Sequence, residues 1–162
     1  MFGSSKVCWV VIVLLLIVIG VAGYKVIVVG ETEVAEDGRV AIVLKAGERR
    51  LVLEEMRTFL SGIQTITEAL TKDDMQTVAK TAHALGRAAS QGVPVQLMGK
   101  LPLEFKTLGF SVHGDFDQMA LDAESLGDSK HTLSQLSATL QKCVACHVAY
   151  QLRSDAFPAL KK

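Results

Sequence analysis

Near its C-terminus the chain reads Gln141-Lys142-Cys143-Val144-Ala145-Cys146-His147-Val148-Ala149-Tyr150, so two of its three cysteines stand three apart with a histidine directly after the second. On a helix, positions i, i+3 and i+4 project from one side. A thiol pair with an adjacent imidazole suits three chemistries. The thiols could cycle through a disulfide, or the three groups could hold part of a zinc site. The thiols could instead add as thioethers to the two vinyl groups on adjacent edges of a haem, while the next residue carries an imidazole to the iron. The last option uses all five consecutive residues for attachment and ligation, and Cys-x-x-Cys-His is the c-type haem signature.

The competing chemistries fit less well. A redox dithiol normally follows a strand at a helix N-terminus, where the thiolate is stabilised, whereas this pair lies late in a helical stretch. Zinc would need a fourth ligand, and the other histidines, His83, His113 and His131, are unclustered with no second cysteine pair. A chance occurrence is the remaining alternative. The expected cofactor is one haem c, covalent through Cys143 and Cys146, with His147 as its axial iron ligand.

Covalent haem of this type belongs to an exported domain, and the N-terminus supplies a means of export. Val7 to Gly30, "VCWVVIVLLLIVIGVAGYKVIVVG", carries one charge, Lys25. At about 1.5 Å per residue a helix of that length crosses a hydrocarbon core of roughly 30 Å. A cleaved signal peptide is the rival reading, with "VAG" at 21–23 as the cleavage site. The apolar run resumes after Lys25, which favours an uncleaved anchor over residues 7–29. Lys6 precedes the span and no acidic residue precedes Glu31, so the N-terminus is expected in the cytoplasm and the domain outside. That arrangement predicts a single-pass protein of the inner membrane with its C-terminal domain in the periplasm, or a soluble periplasmic one after cleavage. Cys8 falls within the apolar block and is expected to be an inert membrane residue.

Length and charge bound the rest. The chain of 162 residues has room for one domain beyond the anchor. Lys+Arg and Asp+Glu both number 17, which gives no bulk attraction to nucleic acid. The expected divisions are 1–30 as anchor, 31–45 as spacer and 46–162 as haem-binding bundle. In the spacer, Asp37-Gly38 signals a turn between two short β-prone runs, hence a small hairpin or an extended linker. From Ala46 the apolar residues recur at three and four: Val52, Met56, Phe59, Leu60, Ile63, Ile66 and Leu70. Asp73 or Asp74 caps a second helix, which runs toward the Gln91–Pro94 breaker. Pro102 opens a third, striped by Phe105, Leu108, Val112, Phe116, Met119 and Ala123. Asp128 or Ser129 opens a fourth, from Ser129 to Arg153, with Leu133, Leu136, Leu140, Cys143 and His147 on one face. The expected fold is all-α, an antiparallel four-helix bundle preceded by one transmembrane helix.

A helical bundle with Cys143-x-x-Cys146-His147 in its final helix, followed by Tyr150 and a basic tail, resembles the cytochrome c-prime family over roughly residues 46–155. The resemblance implies thioether bonds at Cys143 and Cys146 and a proximal ligand at His147. It also implies a distal position on the first bundle helix, near Met56 in "LEEMRTFL". Methionine there suits the low-spin, electron-carrying branch; an aliphatic residue would suit a five-coordinate, gas-binding one. Two features depart from the family: Gln151 stands where a basic residue is common, with Arg153 beyond it, and the chain is tethered where members are usually soluble.

The sixth iron position has three candidate states: Met56 as ligand, a vacant site, or a histidine, with His113 the best placed. A methionine on a core stripe is ordinarily packing. Met75, Met98 and Met119 are expected to be structural, His83 a hydrogen-bonded partly exposed residue, and His131 too remote. A Met56/His147 pair would keep the iron six-coordinate and raise its potential, fitting a relay of single electrons to membrane or periplasmic redox proteins. A vacant site would bind a diatomic gas such as NO or CO. No general base, nucleophile or second metal cluster accompanies the motif, so no enzyme activity is expected. Families of this shape commonly dimerise, although no outer helix face is apolar enough to argue a homodimer.

Overall fold

Helix formers on an amphipathic pattern make most of the fold, and two of its helices start at an aspartate cap. The computed structural model describes residues 3–156, with side chains from Lys6; the basic end of the tail lies outside the described residues. Helix α1 is Gly3–Tyr24 and passes directly into one π-helical turn, Lys25–Val29. Strands β1 (Thr32–Val34) and β2 (Val40–Leu44) follow, then α2 (Ala46–Leu70), α3 (Met75–Leu85), a 3₁₀ stretch over Arg87–Gly92 and the single turn α4 (Val95–Met98). Helices α5 (Leu103–Ser125) and α6 (Ser129–Ala149) and strand β3 (Tyr150–Ser154) complete the chain. Asp74 accepts the Thr77 N–H at 3.0 Å at the head of α3, and Asp128 accepts those of Lys130 and His131 at the head of α6. Such caps satisfy donors that the helix itself cannot.

Helices α2, α3, α5 and α6 share one apolar core. Ile66, Val78, Ala82, Leu85, Val112, Phe116, Met119 and Leu136 meet there, with Phe59, Ile63 and Leu140 packed around them. Phe116 is fully buried, a contribution of roughly 1.5–3 kcal/mol from its ring alone. The protein is thus mostly helical, as expected. The apolar positions sort less cleanly than their spacing suggests: Leu60 and Leu133 are exposed, and the inward row of α6 is Thr132, Leu136 and Thr139. The buried Thr132 and Thr139 hydroxyls cost nothing there, because each donates to a carbonyl four residues earlier.

A three-stranded sheet, ordered β1-β2-β3, is the main departure from an all-helical domain. The hairpin forms at the expected turn, with Gly38 at φ 84°. The last helix, however, ends at Ala149 and not at Arg153, because Tyr150–Ser154 pairs in parallel along the free edge of β2, Val40 opposite Tyr150 and Leu44 opposite Ser154. Tyr150 and Leu152, two residues apart, turn toward a second core built on Ile42, Leu44, Val52, Leu97 and Leu101. The second helix of the expected bundle also stops early, at Leu85, and Gly86 follows it in extended conformation.

Between α1 and the domain the contacts are close. The i→i+5 pattern of the π turn bonds Gly30 N–H to the Lys25 carbonyl and leaves later carbonyls free. Lys106 Nζ donates to one of them, Ile27 O, at 3.0 Å and also to Met98 O at 3.4 Å. The Glu31 N–H donates to Lys100 O at 2.8 Å. Gly30 has φ 70° and ψ −161°, a region open to glycine alone, and a Cβ there would lie 2.3 Å from Lys100 O. Gly30→Ala is therefore expected to cost about 2 kcal/mol or more and lower Tm by about 5 °C in detergent-solubilised protein, followed by circular dichroism. An unchanged melting curve would show that the junction is not rigid.

Candidate functional site

Cys143, Cys146 and His147 occupy the last two turns of α6. At about 100° per residue they fan over an arc of about 100°. Cys143 and Cys146 extend the inward row of Thr132, Leu136 and Thr139, and both are half-buried free thiols. His147 sits at one edge of the fan, within about 20° of the direction of Leu136 three turns earlier, yet it is exposed. Val144 and Val148 continue the same flank and are exposed too, which leaves an apolar strip beside the imidazole. One strand residue, Tyr150, and one turn residue, Arg39, hold this end of the helix. Arg39 Nη1 donates to His147 O at 3.4 Å, the Tyr150 hydroxyl donates to Glu104, and Tyr150 meets Phe105 edge-on at 5.4 Å.

The electrostatics of the thiols argue against redox cycling. Burial pushes both above the ordinary cysteine value, and Asp115 beside Cys143 adds to it. They also sit at the C-terminal end of α6, where the helix dipole disfavours a thiolate. Activated dithiols need the opposite surroundings. A closed metal site is not assembled either: among the described residues no three His, Cys, Asp or Glu side chains converge. The donor set fits haem attachment instead, a reaction of two neutral thiols flanked by apolar surface.

Met56 lies on α2, half-buried, and packs into neither apolar core. Helix α6 rests chiefly on α5 and only touches α2, so the thiols on one helix and the thioether on the other are both left partly uncovered. Among the remaining candidates, Met119 is fully buried in the first core, Met98 packs against the second, and Met75 accepts a hydrogen bond from Ser129 at 3.3 Å. His83 is exposed; His131 is exposed and bonds Asp122 at 3.3 Å.

His113 is committed elsewhere. Its ring is buried against Phe59, with Nδ1 2.7 Å from Leu85 O and Nε2 3.1 Å from a Glu55 carboxylate oxygen. Both partners are acceptors, a setting that favours the protonated ring, and with each nitrogen engaged in a hydrogen bond neither is free for an iron. The sequence offered no hint of this, because Glu55 reads as an exposed acid on the polar side of α2.

Burial opposes the His113 charge and is the largest single influence, but the Glu55 hydrogen bond and the backbone of Leu85 and Gly86 outweigh it and raise the pKa above 6.5. A group whose pKa rises on folding stabilises fully below its unfolded value and loses that stabilisation as pH climbs through the folded one. Unfolding free energy should therefore decline with pH from about 6 upward through the folded value. Glu55→Gln should cost about 1–2 kcal/mol at pH 6 and flatten the decline, as denaturant titration across pH would read. An equally steep decline in the variant would place its source elsewhere.

Family models, curated proteins and solved structures offer no match to this chain.

Proposed function

We propose that this chain is a membrane-anchored monohaem c-type cytochrome that relays single electrons on the periplasmic side of the inner membrane. It would stand with the low-spin, methionine-ligated kin of cytochrome c-prime. The observation that carries the reading is the single fan of Cys143, Cys146 and His147 at the end of α6, with two half-buried thiols kept protonated by burial and an exposed histidine beside them. Haem bound there supplies a one-electron couple. Cys143 and Cys146 would hold it covalently, and His147 and Met56 would ligate its iron. The packing of Met56 in neither core supports that last assignment, as does the commitment of His113 to Glu55 and Leu85.

In this reading α2, α3, α5 and α6 form an antiparallel four-helix bundle, and α1 stays in the membrane as a single-pass anchor. Retention is supported by the bonds from Lys106 to Ile27 and from Glu31 to Lys100, which build the end of α1 into the domain. A tether of this kind raises the effective concentration of membrane-bound redox partners.

The test is a spectrum of the matured, anaerobically reduced protein with and without CO. Low-spin bands indifferent to CO are expected, and Met56→Ala should convert them to a high-spin, CO-sensitive spectrum. Cys143→Ser with Cys146→Ser should abolish the haem stain of a denaturing gel. A wild-type protein that already binds CO would instead favour a gas-binding role, and matured protein without covalent haem would end both readings.

A further inference from the structure

The segment between Arg87 and Lys100, "AASQGVPVQLMG", contains no charged residue, and it lies against the exit of α1. The Lys106 ammonium that bonds Ile27 O also bonds Met98 O, the last residue of α4. A Cβ on Gly99 would lie 3.9 Å from Val26 Cγ1. Helix α4 is a single turn, so Val95 is within about 5 Å of Met98 along its axis. Leu97 turns inward and is buried in the second core. Val95, about 200° around the turn from it, must face out, and it is 81% exposed. Val26, Ile27 and Val29 from the π turn and Leu103 from the head of α5 are exposed apolar neighbours of the same junction. Isolated surface valines need no explanation, but an apolar collar of them around the exit of a membrane-length helix, set beside Lys25 and Lys106, does.

The collar also lies at the right depth. Helix α1 and its π turn form an apolar span over Lys6–Val29, none of it buried within the protein. Tyr24 and Lys25, an aromatic and a cation at its outer end, are the side chains that settle at a membrane–water interface. Val26–Val29 and the α4 turn bonded beside them then fall in the headgroup layer, where apolar side chains on a short helical turn gain by entering the acyl boundary.

We propose that the α4 turn, led by Val95 with Leu103, docks into the lipid interface of the bilayer that holds α1, so that the domain is seated on the membrane in one orientation. This rests on α1 being retained as an anchor and is independent of haem. The occupant is the lipid surface itself, because the collar is continuous with the helix that crosses it.

Full-length protein in nanodiscs made with acyl-chain-brominated or ordinary lipid provides the test, read as quenching of tryptophan emission. Native Trp9 lies within α1 and reports whether the anchor is in the bilayer. In a Trp9→Phe background, Val95→Trp should lose emission in brominated lipid. Val34→Trp, at the far end of β1 and about 13 Å along the strand from Gly30, should not. Val34 is 85% exposed, so this variant accounts for any affinity of tryptophan itself for the interface. Quenched Trp9 with unquenched Trp at 95, or equal quenching at 95 and 34, overturns the docking alone. Unquenched Trp9 overturns the anchor and the docking with it.

Discussion

Five residues of parallel pairing between β2 and β3 hold this molecule closed. Ile42 and Leu44 of β2 are fully buried, so the strand's outer edge would bury unpaired N–H and C=O groups if nothing lay along it, at about 1–3 kcal/mol for each. Tyr150–Ser154 fills that edge, and the four long helices of the domain lie in the chain between the two partners. The pairing also begins one residue after α6 ends. Helix ends ordinarily fray, but this one is pinned by Tyr150, by Arg39 on the His147 carbonyl and by the edge contact with Phe105. In the proposed haem site, residues that would meet a flat, rigid ligand at two sulfurs and one nitrogen would gain from being fixed beforehand.

Polar contacts set the geometry around that frame. Lys100 reaches Glu48 at 2.9 Å and Glu31 at 3.6 Å, while Glu48 also accepts the Lys45 N–H at the head of α2. The Glu48 hydrogen bond is the main reason that the Lys100 pKa is raised. Burial pushes Glu48 up, but its bonds to Lys100 and Lys45 hold it below the usual range. His113 does the same higher up, joining α2 through Glu55, α3 through Leu85 and α5 through itself. Half-buried ion pairs add little net stability but restrict how elements can sit. Met56 follows Glu55 directly in α2, so the His113 bond fixes the rotation of α2 at the point where a distal ligand would have to lie.

The helices and their caps were legible because they depend on local signals. Asp74, Asp128 and Pro102 open helices where expected, and the α5 stripe is buried from Val112 through Phe116 and Met119 to Ala123 as its spacing implies, while Phe105 and Leu108 are half-buried. The failures have one physical source, competition from distant partners. Tyr150–Ser154 continues a helical pattern, yet the vacant edge of β2 captured it. Leu60 and Leu133 fit their stripes but lie where no opposing helix covers them, and Thr132 and Thr139 take the buried places because their hydroxyls are satisfied within α6. At the site, the Cys-x-x-Cys-His spacing was fully legible. The unequal burial of its members and the occupation of His113 were not, since both depend on the way α6 and α5 meet α2.

The sheet also links the two ends of the proposed function. Glu31, next to the exit of α1, accepts the Val43 N–H near the Leu44 end of β2, while Tyr150 and the site lie at the Val40 end. One strand of five residues, about 15 Å, thus separates the exit of α1 from the Cys-x-x-Cys-His motif. With Gly30 and Lys106 stiffening the junction, that separation is not free to vary as it would on a flexible linker. On the proposed reading, a carrier built in this way would exchange electrons with partners in or lying on the membrane, because the domain would be held from swinging its site outward to meet others.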